Sequence, residues 1–148
     1  MSVDQIVQLI QSAIQFGTVI LFGAMGEILT EKSGNLNLGV EGMMSIGACA
    51  GFMVGYQTDN FVAALLAAAV AGMLSALIYG VLTVTFMANQ NVTGLTLTIF
   101  GVGLSNFIGV FMLEKSENGT LKLPDAVTAQ MRNIHIPVSY THLTLPTT

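Results

Sequence analysis

Apolar residues run along four stretches of the chain, separated by short polar segments. The two clearest stretches, Phe61 to Met87 and Val92 to Leu113, contain no charged residue. Each is long enough to cross a hydrocarbon layer of about 30 Å, which takes roughly 20 helical residues. The other two are weaker, because each includes a glutamate, Glu27 in the first and Glu41 in the second. The pattern predicts four membrane spans: residues 6–29, 36–56, 61–87 and 92–113.

The same runs predict the type of secondary structure. Lipid offers the backbone no hydrogen-bond partner, so a span is either an α-helix or a broken helix shielded by protein. The unbroken apolar run over residues 63–71 lacks the alternation of a membrane β-strand. The expected fold is an all-α membrane protein, a polytopic helix bundle over residues 1–113.

Small residues recur every fourth position in three of the spans. Residues four apart lie on one helix face, and a stripe of small side chains lets another helix backbone approach closely. We therefore expect the spans to pack against each other along these stripes. The stripes are Gly47, Gly51 and Gly55 in the second span, Ala64, Ala68, Gly72, Ala76 and Gly80 in the third, and Gly101, Ser105 and Gly109 in the fourth.

Composition sharpens this picture. The chain is 53% hydrophobic and only 8% charged, with a mean hydropathy of +0.74, whereas soluble domains carry about 25% charged residues. The net charge of -4 is spread without a patch, so nucleic acid is not an expected partner. The single cysteine, Cys49, excludes an intrachain disulfide and builds no metal site. The N-terminus lacks a basic region and a cleavage site, so we expect the first span to stay in the mature protein.

The residues after the fourth span change in character twice. Residues 114–137 carry charges, Gly119 and two prolines but no sustained apolar run, which is typical of an aqueous loop. Residues 138–148 are rich in threonine and resemble translated adapter sequence. We therefore interpret them as a non-native tail, in which His142 carries no function.

Two polar breaks hold the candidate functional residues. The first, between spans one and two, predicts either a broken or re-entrant helix lining a polar cavity, or an ordinary interfacial loop with snorkelling acids. Asn35 or Asn37 could cap the restarted helix. Glu41 falls about one turn inside the next apolar run, where a carboxylate needs hydrogen-bond donors.

The second break, between spans three and four, carries neutral amides and a hydroxyl at Asn89, Gln90 and Thr93. Such groups can exchange hydrogen bonds with an uncharged, hydroxyl-rich solute, although a short polar hairpin explains them equally well. The chain shows no catalytic triad, no metal-ligand cluster and no Gly-rich phosphate loop. We therefore expect no enzyme and no cofactor in this chain. The substrate-path candidates are Asn35, Asn37, Glu41, Asn89, Gln90 and Thr93.

Two motifs carry a family resemblance. The stretch from Phe22 to Met44 resembles the GxxxxEKSGxxNLGxEGMM signature of permeases in the ribose and branched-chain amino acid importer superfamily. Residues 89–101 resemble the NQxxxGLALTIFG block of its simple-sugar and general nucleoside branch, with Thr96 where alanine is usual. The likeness covers about residues 10–137.

The resemblance implies the N-terminal half of a larger permease in the bacterial inner membrane, passing solute in an ATP-driven importer. It implies a second permease subunit, a cytoplasmic ATPase and an extracytoplasmic solute-binding lipoprotein as partners. It also places the loop after the fourth span outside the cell. The basic residues Lys115, Lys122 and Arg132 favour the cytoplasm instead, and we follow the resemblance.

Two readings from other classes stay open. One is half of an ion-coupled secondary transporter, with Glu27 or Glu41 binding protons or sodium at a broken helix. The other is a small structural membrane protein without a solute path. In the importer reading, Glu41 is expected to be structural and to accept hydrogen bonds from the amides near Asn35 or Asn89.

Overall fold

A computed structural model of the protein describes residues 3–116 and 119–132. This part of the chain is helical and contains no strand, which confirms the all-α prediction. The end of the expected loop, residues 133–137, and the expected non-native tail, residues 138–148, lie outside the described residues. The helices are α1 (Val3–Lys32), α2 (Val40–Thr58), α3 (Phe61–Gly80), a π-helical turn (Val81–Thr85), α4 (Gln90–Lys115) and α5 (Asp125–Arg132).

Three of these helices are long and apolar enough to cross a membrane: α1, α3 with its π-helical continuation, and α4. Helix α2 has 19 residues and begins at Val40 rather than at residue 36, where the second span was predicted to start. The residues before it form irregular backbone and turns and no helix. The second span is therefore a helix preceded by a stretch of irregular backbone.

Helices α2 and α3 pack antiparallel through their small residues. A Cβ atom added at Gly51 would lie 3.0 Å from the Cβ of Ala68 and 3.1 Å from the carbonyl oxygen of Ala64. At Gly55 it would lie 3.2 Å from the Cβ of Ala64. The glycine stripe of α2 therefore lies against the alanine stripe of α3, with almost no room for larger side chains.

Helices α2 and α4 run parallel and touch backbone to backbone. A Cβ atom at Gly101 would lie 2.5 Å from the carbonyl oxygen of Gly42, and one at Gly42 would overlap the carbonyl oxygen of Leu97. Further along, the thiol of Cys49 contacts the carbonyl oxygen of Ser105 at 4.0 Å. Glycine is therefore required at both Gly42 and Gly101, because any side chain there would separate the helices.

Two other glycines of the predicted stripes lie differently. A Cβ atom at Gly72 or Gly109 would meet no atom of the described chain within 4 Å. Both positions lie beside open space, and Gly72 lines a cavity of about 500 Å³ that residues of α1 and α2 also line.

The third span ends in a widened turn. The N–H of Phe86 donates to the carbonyl oxygen of Val81 at 3.1 Å, which closes a π-type turn. Met87 then takes a left-handed backbone conformation with φ of 52°. Asn89 caps α4, its side chain accepting from the N–H groups of Asn91 and Val92. The wide turn and the cap together set where α4 begins.

Helix α5 forms within the predicted aqueous loop. Its Val127 side chain is only 1% exposed, and the side-chain oxygen of Gln130 accepts from the N–H of Phe61 at 2.9 Å. The loop is therefore tied to the start of α3. Sequence reasoning did not predict this helix, because a single buried valine gives no apolar period.

Candidate functional site

An irregular segment of six residues, 34–39, joins α1 to α2, and we call it the strap. It begins at Gly34, which has a φ of +85°, a left-handed conformation that glycine adopts without strain. The N–H of Asn35 donates to the carbonyl oxygen of Thr30 at 3.0 Å. Helix α1 thus ends in a turn that leads the chain back towards the bundle.

Part of the strap is packed into the bundle, because Asn37 and Gly39 are buried whereas Gly34, Leu36 and Leu38 are exposed. A Cβ atom at Gly94 would lie 2.8 Å from the backbone nitrogen of Leu38 and 3.0 Å from that of Gly39. Gly94 is four residues into α4, which places it about 6 Å along the helix axis. Irregular backbone at this depth needs hydrogen-bond partners from the protein.

Side chains from two helices accept hydrogen bonds from the strap. The N–H of Leu36 donates to the side-chain oxygen of Gln90 on α4 at 2.9 Å. The N–H of Asn37 donates to a carboxylate oxygen of Glu27 on α1 at 2.8 Å. These two bonds fix the middle of the strap between α1 and α4.

Two hydroxyl groups donate to carbonyl groups of the strap. The phenol of Tyr79 on α3 donates to the carbonyl oxygen of Leu36 at 2.6 Å. The hydroxyl of Thr98 on α4 donates to the carbonyl oxygen of Leu38 at 2.7 Å. The strap is therefore hydrogen-bonded to side chains of α1, α3 and α4.

Glu27 uses both carboxylate oxygens inside the protein. One accepts from the N–H of Asn37, and the other accepts from the hydroxyl of Thr30 at 3.0 Å. Glu27 is therefore a support of the strap.

Glu41 does not make the contacts expected from the sequence. Its side chain is exposed and forms no hydrogen bond or ion pair with residues 3–116 or 119–132, including the amides near Asn35 and Asn89. It lines a cleft between α1 and α2. The hydrogen bond to the polar break that was expected of Glu41 is instead formed by Glu27, on the preceding helix.

The two asparagines of the strap differ in environment. Asn37 is buried at 6% exposure, and its side-chain oxygen accepts from the N–H of Gly39 at 2.9 Å. Asn35 is half-buried, and its side-chain oxygen has no hydrogen-bond partner in the described part of the chain. Gly39 is the N-cap residue of α2 and forms no side-chain cap. Asn37 thus holds the backbone of Gly39, the residue directly before α2.

The candidates in the second break divide between two places. Asn89 and Gln90 line an open polar depression at the start of α4, of about 330 Å³. Thr93 lines a separate cavity of about 290 Å³ between α3 and α4, beside Tyr79. Of these three side chains, Gln90 alone forms a hydrogen bond with the strap among the described residues.

Tyr79 and Thr98 were not predicted as site residues. A phenol inside an otherwise apolar span is a usable signal, because a buried tyrosine hydroxyl takes a hydrogen-bond partner. Tyr79 is 4% exposed, as that rule leads one to expect. Thr98 carries no comparable signal, since membrane helices often hold threonines bonded to their own backbone.

Replacing Tyr79 with phenylalanine is expected to lower the free energy of unfolding by about 1–3 kcal/mol, because the carbonyl group of Leu36 loses its donor at depth. The ring remains, so packing is preserved. The measurement is unfolding of the chain by sodium dodecyl sulfate in mild detergent micelles. Tyr56→Phe is the control, since Tyr56 is partly exposed near the end of α2. Equal effects of the two changes would contradict the role of the phenol.

Within the two described ranges, no three His, Cys, Asp or Glu side chains come together in a way that could hold a metal ion. The site is instead a length of irregular backbone supported by neutral and carboxylate side chains inside an apolar helix bundle. This arrangement defines a multi-pass helical membrane protein with a broken span. Residues 9–134 match the family model described as the branched-chain amino acid transport system / permease component. The chain belongs to this family.

Curated relatives agree with that assignment. A putative glucose ABC transporter permease protein of Haloferax volcanii is 33% identical over 130 residues, covering 88% of this chain and 39% of the relative. A guanosine ABC transporter permease protein of Bacillus subtilis is 32% identical, covering 84% and 41%. A nucleoside ABC transporter permease protein of Lactococcus lactis is 28% identical, covering 72% and 34%. No solved structure matches the chain significantly.

These relatives confirm the resemblance to the sugar and nucleoside branch. They are transport permeases and not enzymes. The family and the three apolar helices also confirm the expected location, as a multi-pass protein of the bacterial inner membrane. The chain spans about two-fifths of the length of the first two relatives.

Proposed function

We propose that the chain is the N-terminal part of the permease subunit of an ATP-driven importer for a neutral, hydroxyl-rich solute, a nucleoside or a simple sugar. The observation that carries this proposal is the match of residues 9–134 to a permease family. Relatives named for glucose, guanosine and nucleosides support the solute class. The complete permease pairs with a second permease subunit, a cytoplasmic ATPase and an extracytoplasmic solute-binding lipoprotein.

The polar depression at the start of α4 supports a neutral solute. Gln90 and Asn89 line it, their side-chain oxygens accept from backbone N–H groups, and their amide NH2 groups can donate hydrogen bonds without charge. No ionisable side chain lines that depression. A sugar hydroxyl or a nucleoside ribose can exchange hydrogen bonds there at small desolvation cost.

The rival reading as a secondary transporter needs a carboxylate free to bind an ion on the solute path. Glu27 already accepts hydrogen bonds from Asn37 and Thr30, whereas Glu41 has no partner among the described residues, so the uptake test below decides between the two readings. In our proposal ATP hydrolysis belongs to a separate chain. The chain itself needs no cofactor.

The test uses the full-length permease with its ATPase and binding protein in proteoliposomes. Labelled guanosine and glucose uptake is expected to require enclosed ATP and to persist when ionophores collapse the proton and sodium gradients. Uptake that disappears with an ionophore while ATP stays constant would support the secondary transporter instead. A catalytically inactive ATPase subunit serves as the matched control.

A further inference from the structure

A cleft of about 700 Å³ separates α1 from the N-terminal half of α2. Its walls are mostly apolar, with Val19 and Ile20 on α1 and Met44 and Ala48 on α2. Val19 is 55% exposed and Ile20 is 70% exposed. The helices meet closely at Gly23, where an added Cβ atom would lie 3.0 Å from the sulfur of Met44.

Two carboxylates, Glu27 and Glu41, line the same cleft. Neither forms an ion pair with any described residue. Glu27 is held by hydrogen bonds to Asn37 and Thr30, whereas Glu41 has no hydrogen-bond donor in the described ranges. A carboxylate inside a membrane span costs several kcal/mol unless a partner offsets it. The cleft therefore combines an apolar surface with one carboxylate, that of Glu41, which has no partner among the described residues.

We propose that a transmembrane helix from the remaining part of the full-length permease lies in this cleft and pairs a lysine or arginine side chain with Glu41. This inference rests on the proposed function, which makes the chain part of a longer permease. The relatives are long enough to supply such a helix, because the matched region is only 39% and 41% of two of them.

The chemistry of the occupant follows from the cleft. An apolar helix covers the α1 and α2 walls, and packing in lipid favours contact with small residues such as Ala24 and Ala48. Because Glu41 has no donor among the described residues, a positive side chain stabilises it more than a neutral donor would in an apolar bundle. The basic side chain is in turn costly in lipid unless it is paired. Pairing thus lowers the free-energy cost of placing either side chain inside the membrane.

Photo-crosslinking of the full-length permease in lipid nanodiscs tests the occupant. A benzophenone amino acid is placed at Ala48 on the α2 wall and, in a second variant, at Val19 on the α1 wall. The control position is Leu66 on α3, which is 60% exposed and does not line the cleft. Copies labelled with heavy nitrogen are mixed with light copies, so that mass spectrometry separates links within one polypeptide from links between two.

The expected result is that both cleft positions link to one peptide of the same polypeptide outside this chain, and that this peptide contains a lysine or arginine. Leu66 is expected to give lipid adducts only. Links between heavy and light copies would assign the cleft to a second subunit and overturn the proposal. Lipid adducts alone from both cleft positions, or a linked peptide without a basic residue, would overturn it too.

A charge exchange tests the pair itself. Glu41→Lys is expected to lower the yield of assembled permease by about tenfold or more, because two positive side chains then meet in lipid. Changing the basic residue of the linked peptide to glutamate in the same protein is expected to restore the yield. Glu31→Lys, at the exposed end of α1, is the control and leaves the yield unchanged. Absence of rescue would contradict the pairing.

Uptake by the unmodified permease is measured separately. Ion-driven uptake together with the expected links would reject the ATP-driven function while leaving the helix contact in place. ATP-driven uptake with lipid adducts alone would reject the contact and leave the function intact.

Discussion

Gly101→Ala is expected to destabilise the chain by at least about 2 kcal/mol, because an added methyl group has no space at this crossing. The methyl carbon would lie 2.5 Å from the carbonyl oxygen of Gly42 and 2.8 Å from its Cα atom. Both neighbours are backbone atoms, so no side chain can rotate away. Helices α2 and α4 must separate. This separation also weakens the hydrogen bonds that Gln90 and Thr98 of α4 form with the strap.

Gly103→Ala is the matched control, two residues along the same helix. An added Cβ atom there meets no described atom within 4 Å, and alanine favours the helix over glycine by about 1 kcal/mol. The control is therefore expected to be neutral or slightly stabilising. Unfolding in sodium dodecyl sulfate, followed by circular dichroism, measures both changes. Similar losses at the two positions would mean that the backbone contact does not hold the helices together.

Glu27→Leu is expected to lower the free energy of unfolding by about 2–3 kcal/mol. The N–H of Asn37 donates to Glu27, and a buried donor without an acceptor costs about 1–3 kcal/mol. Asn37 is only 6% exposed, which limits replacement of the lost acceptor by water. The same unfolding measurement applies, with limited proteolysis in the strap as a second readout.

Glu27→Gln separates the structural role from ion coupling. Glutamine retains an oxygen that can accept from the N–H of Asn37, so the expected loss is less than about 1 kcal/mol. In the full-length permease, this variant should also retain solute uptake. A variant that is stable but has lost a pH-dependent uptake would contradict the structural role and favour an ion-coupled transporter.

Much of the bundle follows from the sequence because membrane helices obey simple rules of length and packing. The charge-free runs predicted the third and fourth spans, and α3 and α4 cover most of those residues. The spacing of Gly47, Gly51 and Gly55 predicted a packing face, and this face of α2 packs against α3. Local sequence carries such information because lipid removes most alternatives.

The details of the strap could not be predicted in the same way. Its partners lie on other helices, with Gln90 54 positions and Thr98 60 positions from the groups that they bind. Periodicity describes one helix at a time and gives no pairing between helices. The sequence indicated that Asn35, Asn37 and Gln90 lie in polar breaks, but the choice of Glu27 over Glu41 depended on which face of α1 turns inward.

The long reach of these bonds has a consequence for biosynthesis. When α1 and α2 leave the ribosome, Gln90, Thr98 and Tyr79 have not yet been made, so strap groups that bind them in the finished protein lack these partners. Unpaired backbone groups are strongly disfavoured in lipid, and α2 is not among the helices apolar enough to cross by itself. The second span should therefore wait at the translocon and enter the membrane only together with α4.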